Sequence, residues 1–350
     1  HMKTTLQYLF LFVVLGIVTP SVKAQDIIQD SPLLVYYMPK TSIQIVIEYD
    51  EYIEEVGPYY QYSKRFLNIS DVIKEDKTSY KLTNIYAQTY NTIDSSRVYY
   101  VNDVKGFNNH LLRIDNGRLV GYNMPFEFKP SMNVTQETNE PYTFIAQIPQ
   151  LMEEQIIATN TAKLAEGIAK QIYRLRETRI NILAGDVEHA PADGKAMQLV
   201  LDEINRQEQE LVAMFIGKTT IKKHKYICYY TPNENEKNIV LRFSKYIGPV
   251  HVDDLSGEPI TIQCSNHKRE YLYVEDTKQN QKTLISPIYY NLPGSSTIQL
   301  RYKNHLYVNQ TFDIAQFGIA LPLSQKLFRE NANIHILFDQ ATGNIQSIWQ

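Results

Sequence analysis

Residues 42–50 read Ser-Ile-Gln-Ile-Val-Ile-Glu-Tyr-Asp. Ile43, Ile45 and Ile47 fall on every second position, the period of a strand with one face buried. That stretch opens a mixed, mostly β region. Gly57-Pro58 then precedes a short helix-like run from Tyr59 to Leu67, and strands are expected at 79–89, 97–101, 111–114 and 119–122. Asp115-Asn116-Gly117 joins the last two, because Asn-Gly accepts the positive φ angles that a tight hairpin turn demands.

The pattern changes after Pro149. Ile157, Leu164, Ile168, Ile172, Leu175, Ile180 and Leu183 recur at helical steps. This amphipathic stripe predicts a helix over 150–184, about 50 Å long. Pro191-Ala192-Asp193-Gly194 breaks it, a second helix is predicted from Lys195 to Ile216, and Gly217 stands where a C-terminal cap belongs. The short connection makes the two antiparallel neighbours, with Ile168, Ile172 and Leu175 facing Val200, Ile204 and Leu211. Beyond Thr220 short strands return, at 226–230, 239–243, 260–264, 271–274, 296–302, 305–312, 334–338 and 344–349. Their spacing suggests a β-sandwich. The expected fold is α+β. It has a mixed mostly-β N-terminal domain over 25–149, a long αα-hairpin over 150–217 and a C-terminal antiparallel β-sandwich-like domain over 218–350.

Residues 1–24 have the layout of a secretory signal peptide. Lys3 is followed by an apolar run from Leu6 to Val18, then by Val22-Lys23-Ala24 before Gln25. The run is too short for a permanent transmembrane anchor, and no cysteine near the cleavage site offers a lipid anchor. His1 precedes the initiating Met2 and is read as foreign to the native chain. An exported protein starting at Gln25 is expected. The net charge of −3 supplies no electrostatic footprint for nucleic acid. There are 26 Tyr against one Trp, which fits half-buried pleated surfaces or a tyrosine-rich binding surface. Cys228 and Cys264 are compatible with a disulfide in an oxidising compartment and equally with separate buried thiols.

There is no Gly-x-Ser-x-Gly elbow, phosphate-cradling loop or His-Glu-x-x-His, so no catalytic, metal or cofactor-binding residue is assigned. Asp186, Glu188, His189 and Asp193 form either a cation site or a solvated turn in which Asp193 caps the second helix. His251 with Asp253 and Asp254, near Ser244 and Ser256, is either a general-base arrangement or a polar loop. The pairs Glu54-Glu55 and Glu153-Glu154 invite a glycosidase reading, but adjacent residues on a strand point opposite ways. On the helical hairpin Arg174, Arg176 and Arg179 oppose Glu203, Glu208 and Glu210, either as ion pairs or as a charged surface for another protein. Lys170, Arg176 and Arg179 are the candidate partner-binding residues. Tyr289, Tyr290, Tyr302 and Tyr307 are the candidate ligand-stacking residues.

Several runs together are distinctive: Tyr36-Tyr37-Met38-Pro39-Lys40-Thr41, Gly57-Pro58-Tyr59-Tyr60, Glu75-Asp76-Lys77-Thr78-Ser79-Tyr80, Pro191-Ala192-Asp193-Gly194 and Leu337-Phe338-Asp339-Gln340-Ala341-Thr342-Gly343. With Ala162-Lys163 to Arg179 they resemble an uncharacterised family of secreted Bacteroidetes envelope proteins, a domain-of-unknown-function family. The resemblance implies a periplasmic or outer-surface home in a Gram-negative cell and carries over no catalytic residues. The leading expectation is a non-enzymatic exported envelope protein that binds an envelope partner or itself. A module binding a glycan or peptide through tyrosine-rich β surfaces is the alternative, and a cryptic hydrolase the third.

Overall fold

In a computed structural model the alternating run at 42–50 is the middle of a longer strand, β1 (Val35–Glu55). The structure describes residues 34–104, 106–125, 160–186, 193–233, 235–270, 286–330 and 333–350. The signal-like segment, the expected first helical turns at 150–159 with Glu153-Glu154, Glu188, His189 and the expected strand at 271–274 lie outside the described residues.

β1 pairs antiparallel with β2 (Lys77–Tyr100) on one side and with β5 (Lys218–Tyr230) on the other. Ile43, Ile45 and Ile47 point inward and are fully buried. The outer end of β1 is acidic and its neighbours are basic. Glu48, Asp50, Glu51 and Glu55 stand opposite Lys225, Lys223, Lys222 and Lys218 of β5, while Asp50 and Glu54 also stand opposite Lys81 and Lys77 of β2. Opposite charges directly across a strand pair stabilise it by roughly 0.2–1 kcal/mol, and a slipped register would forfeit them.

The break expected between residues 89 and 97 is a bulge inside β2. Tyr37 pairs with Val98 and Pro39 with Ile93, so residues 94–97 of β2 stand against Met38 alone. The hairpin of β3 (Leu112–Asp115) and β4 (Arg118–Tyr122) turns on Asn116 (φ 48°) and Gly117 (φ 73°), as the Asn-Gly signal predicts. β4 joins β11 (His335–Phe338), which pairs with β12 (Ile345–Trp349), and β4 also meets β1 at Tyr37. These strands form one sheet in the order β12-β11-β4-β1-β2, with β3 on β4 and β5 on β1. A second sheet has the order β10-β9-β8-β6-β7, from β6 (Glu236–Ser244), β7 (Gly248–Val250), β8 (Glu258–His267), β9 (Tyr289–Tyr302) and β10 (His305–Pro322).

The fold is thus α+β and mostly strands in two sheets. Strand pairing does not follow the boundary expected at residue 218. β5, β11 and β12 belong to the first sheet, and residues 236–322 contribute a single sheet. The reason is hydrophobic. Leu241, Phe243, Ile260, Ile262, Ile298 and Ile314 line one face of that sheet and share a core with Ile43, Ile45 and Ile47. Each sheet closes the other's apolar face. Cys228 and Cys264 sit at this core as separate thiols. Burial pushes the Cys228 thiol up to about 11.

A second bulge lies in β10, where Ile314 pairs with Gly294 and Ile319 with Leu292. It meets β1 through a buried polar junction. Asn291 of β9 is fully buried and its amide donates to Ala315 O (3.0 Å) and Thr342 O (2.6 Å). Its N–H donates to Gly343 O (2.8 Å), and its Oδ1 accepts from Arg97 (3.4 Å). Thr41 Oγ1 accepts from Ala315 N–H, while Gln316 and the Thr41 backbone exchange two bonds. The Ala315 N–H and C=O in the β10 bulge are satisfied here by side chains rather than by ladder bonds.

The helical hairpin comprises α2 (Thr161–Ala184) and α3 (Gly194–Ile216). Asn160 caps α2, accepting from Ala162 N–H at 2.7 Å, and Asp193 caps α3. Ala165, Ile168, Ile172, Leu211 and Phe215 are buried against one another and against Leu67 of α1 (Ser63–Leu67). A Cβ on Gly57 would stand 2.5 Å from Met214 O, so only glycine lets the chain cross the end of α3 there. Gly217 (φ 89°) ends α3 as expected. A short α4 (Lys326–Glu330) covers a third apolar cluster around Tyr36, Phe107, Tyr122 and Phe338.

One clasp ties β5 to β1 and β2. His224 Nε2 lies 2.8 Å from Glu51 Oε2, the Tyr80 hydroxyl donates to Oε1 at 3.1 Å, and Tyr49 stacks on His224. Burial works to raise the Glu51 pKa, but the hydrogen bonds of His224 and Tyr80 and the nearby charges of His224 and Lys222 outweigh it and hold the carboxyl below its usual range. A depressed carboxyl contributes stability above its unfolded-state pKa, about 4.3, and loses it as pH falls through the folded value. The melting-temperature gap between wild type and Glu51→Gln should therefore be open at neutral pH and close on acidification. A gap constant down to about pH 3 would show that the ionised carboxylate is not what stabilises this corner.

Candidate functional site

The helical hairpin divides into two halves. Near its base, the residues of the shared cluster lie between Ala165 and Leu175 of α2 and between Leu211 and Ile216 of α3. Tyr173 adds a bond from its hydroxyl to Phe66 O (2.9 Å). Beyond these positions polar contacts join the seam beside Ile204 of α3, which is still buried. Arg176 Nε binds Glu208 Oε1 at 2.7 Å, and Arg179 binds Glu208 Oε2 at 2.6 Å and Asn205 Oδ1 at 2.8 Å. The Glu208 side chain is only 12% exposed, so two guanidinium groups clasp a nearly buried carboxylate.

Of the candidate cations, Arg176 and Arg179 join the two helices while keeping 34% and 32% of their side chains exposed. Lys170 pairs with Glu166 on its own helix at 2.9 Å and remains exposed. Glu203 and Glu210 both bind Arg206 within α3. Hydrogen bonds from Arg206 and Gln207 bring the Glu203 pKa down to about 2. What the distal half does present is apolar. Ile180 is 62% exposed, Leu183 68% and Leu199 71%. Val200, expected to face α2, is also exposed. Sequence periodicity missed this because Ile180 and Leu183 continue the stripe that is buried nearer the base.

Tyr289, Tyr290, Tyr302 and Tyr307 are half-buried against the two β cores. Tyr289 exchanges hydrogen bonds with the Tyr36 hydroxyl, and Tyr302 packs edge-on to Phe243. Burial raises the pKa of Tyr302 and Tyr307. The open rings are elsewhere, among them Tyr90, Tyr226 and Tyr229. For Tyr90 and Tyr229 alternation contained the signal: with Ile43 and Ile45 inward, Ser42, Gln44 and their cross-strand neighbours face out.

The remaining polar clusters resolve into local structure. His251 Nδ1 lies 3.2 Å from Asp253 Oδ2 in an exposed turn, and Ser256 N–H donates to Asp254. Ser244 is buried, and its hydroxyl accepts from Tyr246 N–H. Among the described residues no group of three or more His, Cys, Asp or Glu side chains could hold a metal ion. Also among them, no helix is long and apolar enough to cross a membrane, which says nothing of strands.

Kinship follows from one match. The family described as Domain of unknown function (DUF4831) covers residues 34–346, both sheets and the hairpin included. The chain belongs to this family. No curated protein and no solved structure matches it. In this DUF4831 chain the hairpin's distal half and the open β surface are accordingly read from their own chemistry.

Proposed function

We propose that this DUF4831 protein is an exported, non-enzymatic component of a Gram-negative cell envelope that docks an envelope protein through the distal half of its helical hairpin. The signal-like residues 2–25 support export. The observation that carries docking is the exposure of Ile180, Leu183 and Leu199 on a hairpin whose Arg176, Arg179 and Glu208 are closed on one another. Contiguous exposed aliphatic side chains mark interaction surfaces, and Ile180 and Leu183, three residues apart, share one face of α2. The arginine clasp keeps the two helices in register beneath them, so docking would order few new groups.

A photo-crosslinking residue placed at Ile180 or Leu199 in living cells should give a discrete adduct with one envelope protein. The same residue at Lys237, on the second sheet, should not. Replacing both Ile180 and Leu183 with Glu should abolish the adduct formed at Leu199 while leaving the melting temperature within a degree or two, because exposed substitutions change stability by only about 0.5 kcal/mol. Adduct patterns that are identical at hairpin and sheet positions, or unaffected by the double substitution, would refute docking through this element.

A further inference from the structure

The outer face of the three strands β5, β1 and β2 carries a row of polar side chains that no fold requirement explains. Tyr229 of β5 and Gln88 of β2 both stand opposite Gln44 of β1. Gln88 donates to Gln44 Oε1, and Gln44 Nε2 donates to the Tyr229 hydroxyl at 3.0 Å. Every bond in this chain runs the same way. The Tyr229 hydroxyl, accepting from Gln44, keeps its own proton to give, and the Gln88 carbonyl keeps its lone pairs to accept. The row spans two strand spacings, ~10 Å. Tyr90 of β2, opposite Ser42, leans over β1 so that its ring lies 5.0 Å from that of Tyr229 at 54°. The two rings remain 46% and 55% exposed.

We infer that this face binds an uncharged, hydroxyl-rich ligand: a neutral glycan chain laid across β5, β1 and β2, with Tyr90 and Tyr229 under its sugar rings and the Gln44–Gln88 amides on its hydroxyls. Charge selects the ligand class. In the rows from Ser42 to Val46 every side chain on this face is uncharged: Ser42 and Tyr90, then Tyr229, Gln44 and Gln88, then Ile227, Val46 and Tyr86. The row beyond Val46 holds Lys225 and Glu48, which pair at 3.4 Å, and the row beyond Ser42 holds Lys40. An anionic chain would find a lysine at each margin, one of them paired with Glu48, and no cation in the centre. A neutral sugar has apolar C–H faces for the rings and a rim of donors and acceptors for the amides, which is the division of labour that tyrosine and glutamine supply here. The amides already hold each other's rotamers, so little side-chain freedom is lost on binding. This inference is independent of the hairpin reading.

The test is affinity electrophoresis of the mature protein through gels containing hydroxyethylcellulose, xyloglucan, glycogen or polygalacturonate, with sedimentation velocity run in parallel. At least one neutral gel should retard the wild type and polygalacturonate should not. The Tyr90→Ala, Tyr229→Ala double variant should bind about tenfold more weakly or worse, with an unchanged melting temperature. Tyr229→Phe, which keeps the ring and removes the hydroxyl, should fall between them. Absence of retardation by every neutral gel, retardation by polygalacturonate alone, or retardation surviving the double variant would each overturn the assignment. A concentration-dependent dimer abolished by the same double substitution would reassign the face to a second copy of this chain.

Discussion

Ile172→Asp is expected to destabilise the protein by roughly 3–5 kcal/mol, enough to lower the melting temperature by on the order of 10 °C. Ile172 is fully buried in the cluster that joins α2 to α3 and to Leu67 of α1. A carboxylate there would have no partner, because the nearest clasp, Arg176 and Arg179, is already engaged by Glu208. Either the charge is buried unpaired or the hairpin lifts from its base. Ile172→Val provides the graded control: it removes one methylene and should cost only about 1 kcal/mol. Chemical denaturation of the two variants decides the matter. Equal and small effects would mean that the base of the hairpin is not a packed core. The same Ile172→Asp protein should keep its β signal at intermediate denaturant if the hairpin opens before the sheets.

Asn291→Leu should cost about 3 kcal/mol, although it swaps a polar side chain for an apolar one of similar size in a fully buried position. The asparagine amide is the donor for two carbonyls from different parts of the chain, Ala315 O in the β10 bulge and Thr342 O in the turn before β12. Leucine strips Thr342 O of its donor, leaves Ala315 O only the longer bond from Arg97 (3.3 Å), and removes an acceptor from Arg97. Buried carbonyls stripped of a donor carry the desolvation penalty in full. Hydrogen exchange should show the damage locally, as faster exchange of the Ala341 and Asn344 amides, which the Asp339–Thr342 turn now holds. A stability loss below about 1 kcal/mol would place the junction's strength elsewhere, in the Thr41–Gln316 bonds.

Much of the local structure was legible because it depends on neighbours in sequence. Alternation put Ile43, Ile45 and Ile47 on a buried face, Asn116-Gly117 made its positive-φ turn, and Asp193 and Gly217 capped α3. The gap between residues 89 and 97 was a real irregularity read as the wrong kind. It is a bulge, because pairing with β1 continues on both sides of it. The candidate sites were less legible. A run of charged residues on a helix does not say whether its partner is solvent, another protein or the neighbouring helix. Glu208 lies 29 and 32 residues from Arg179 and Arg176, and only the packing of α2 on α3 brings them together. Paired tyrosines point to opposite faces of a strand, so composition alone could not tell the half-buried Tyr230 from the open Tyr229.

By itself the sequence determined most of the elements: the longer strand runs, the end of α2, the span of α3, and that the whole is α+β. The tertiary structure decided the partnerships. β5 follows the helices in the chain yet pairs with β1, where its lysines meet an acidic strand, and β11, with β12 on its far side, returns to β4. The physical reason is that a period of two is the same in every sheet, so alternation states that a face must be buried and is silent on what buries it. That choice belongs to long-range burial of apolar area and to cross-strand charge, which act only once segments far apart in the chain have met.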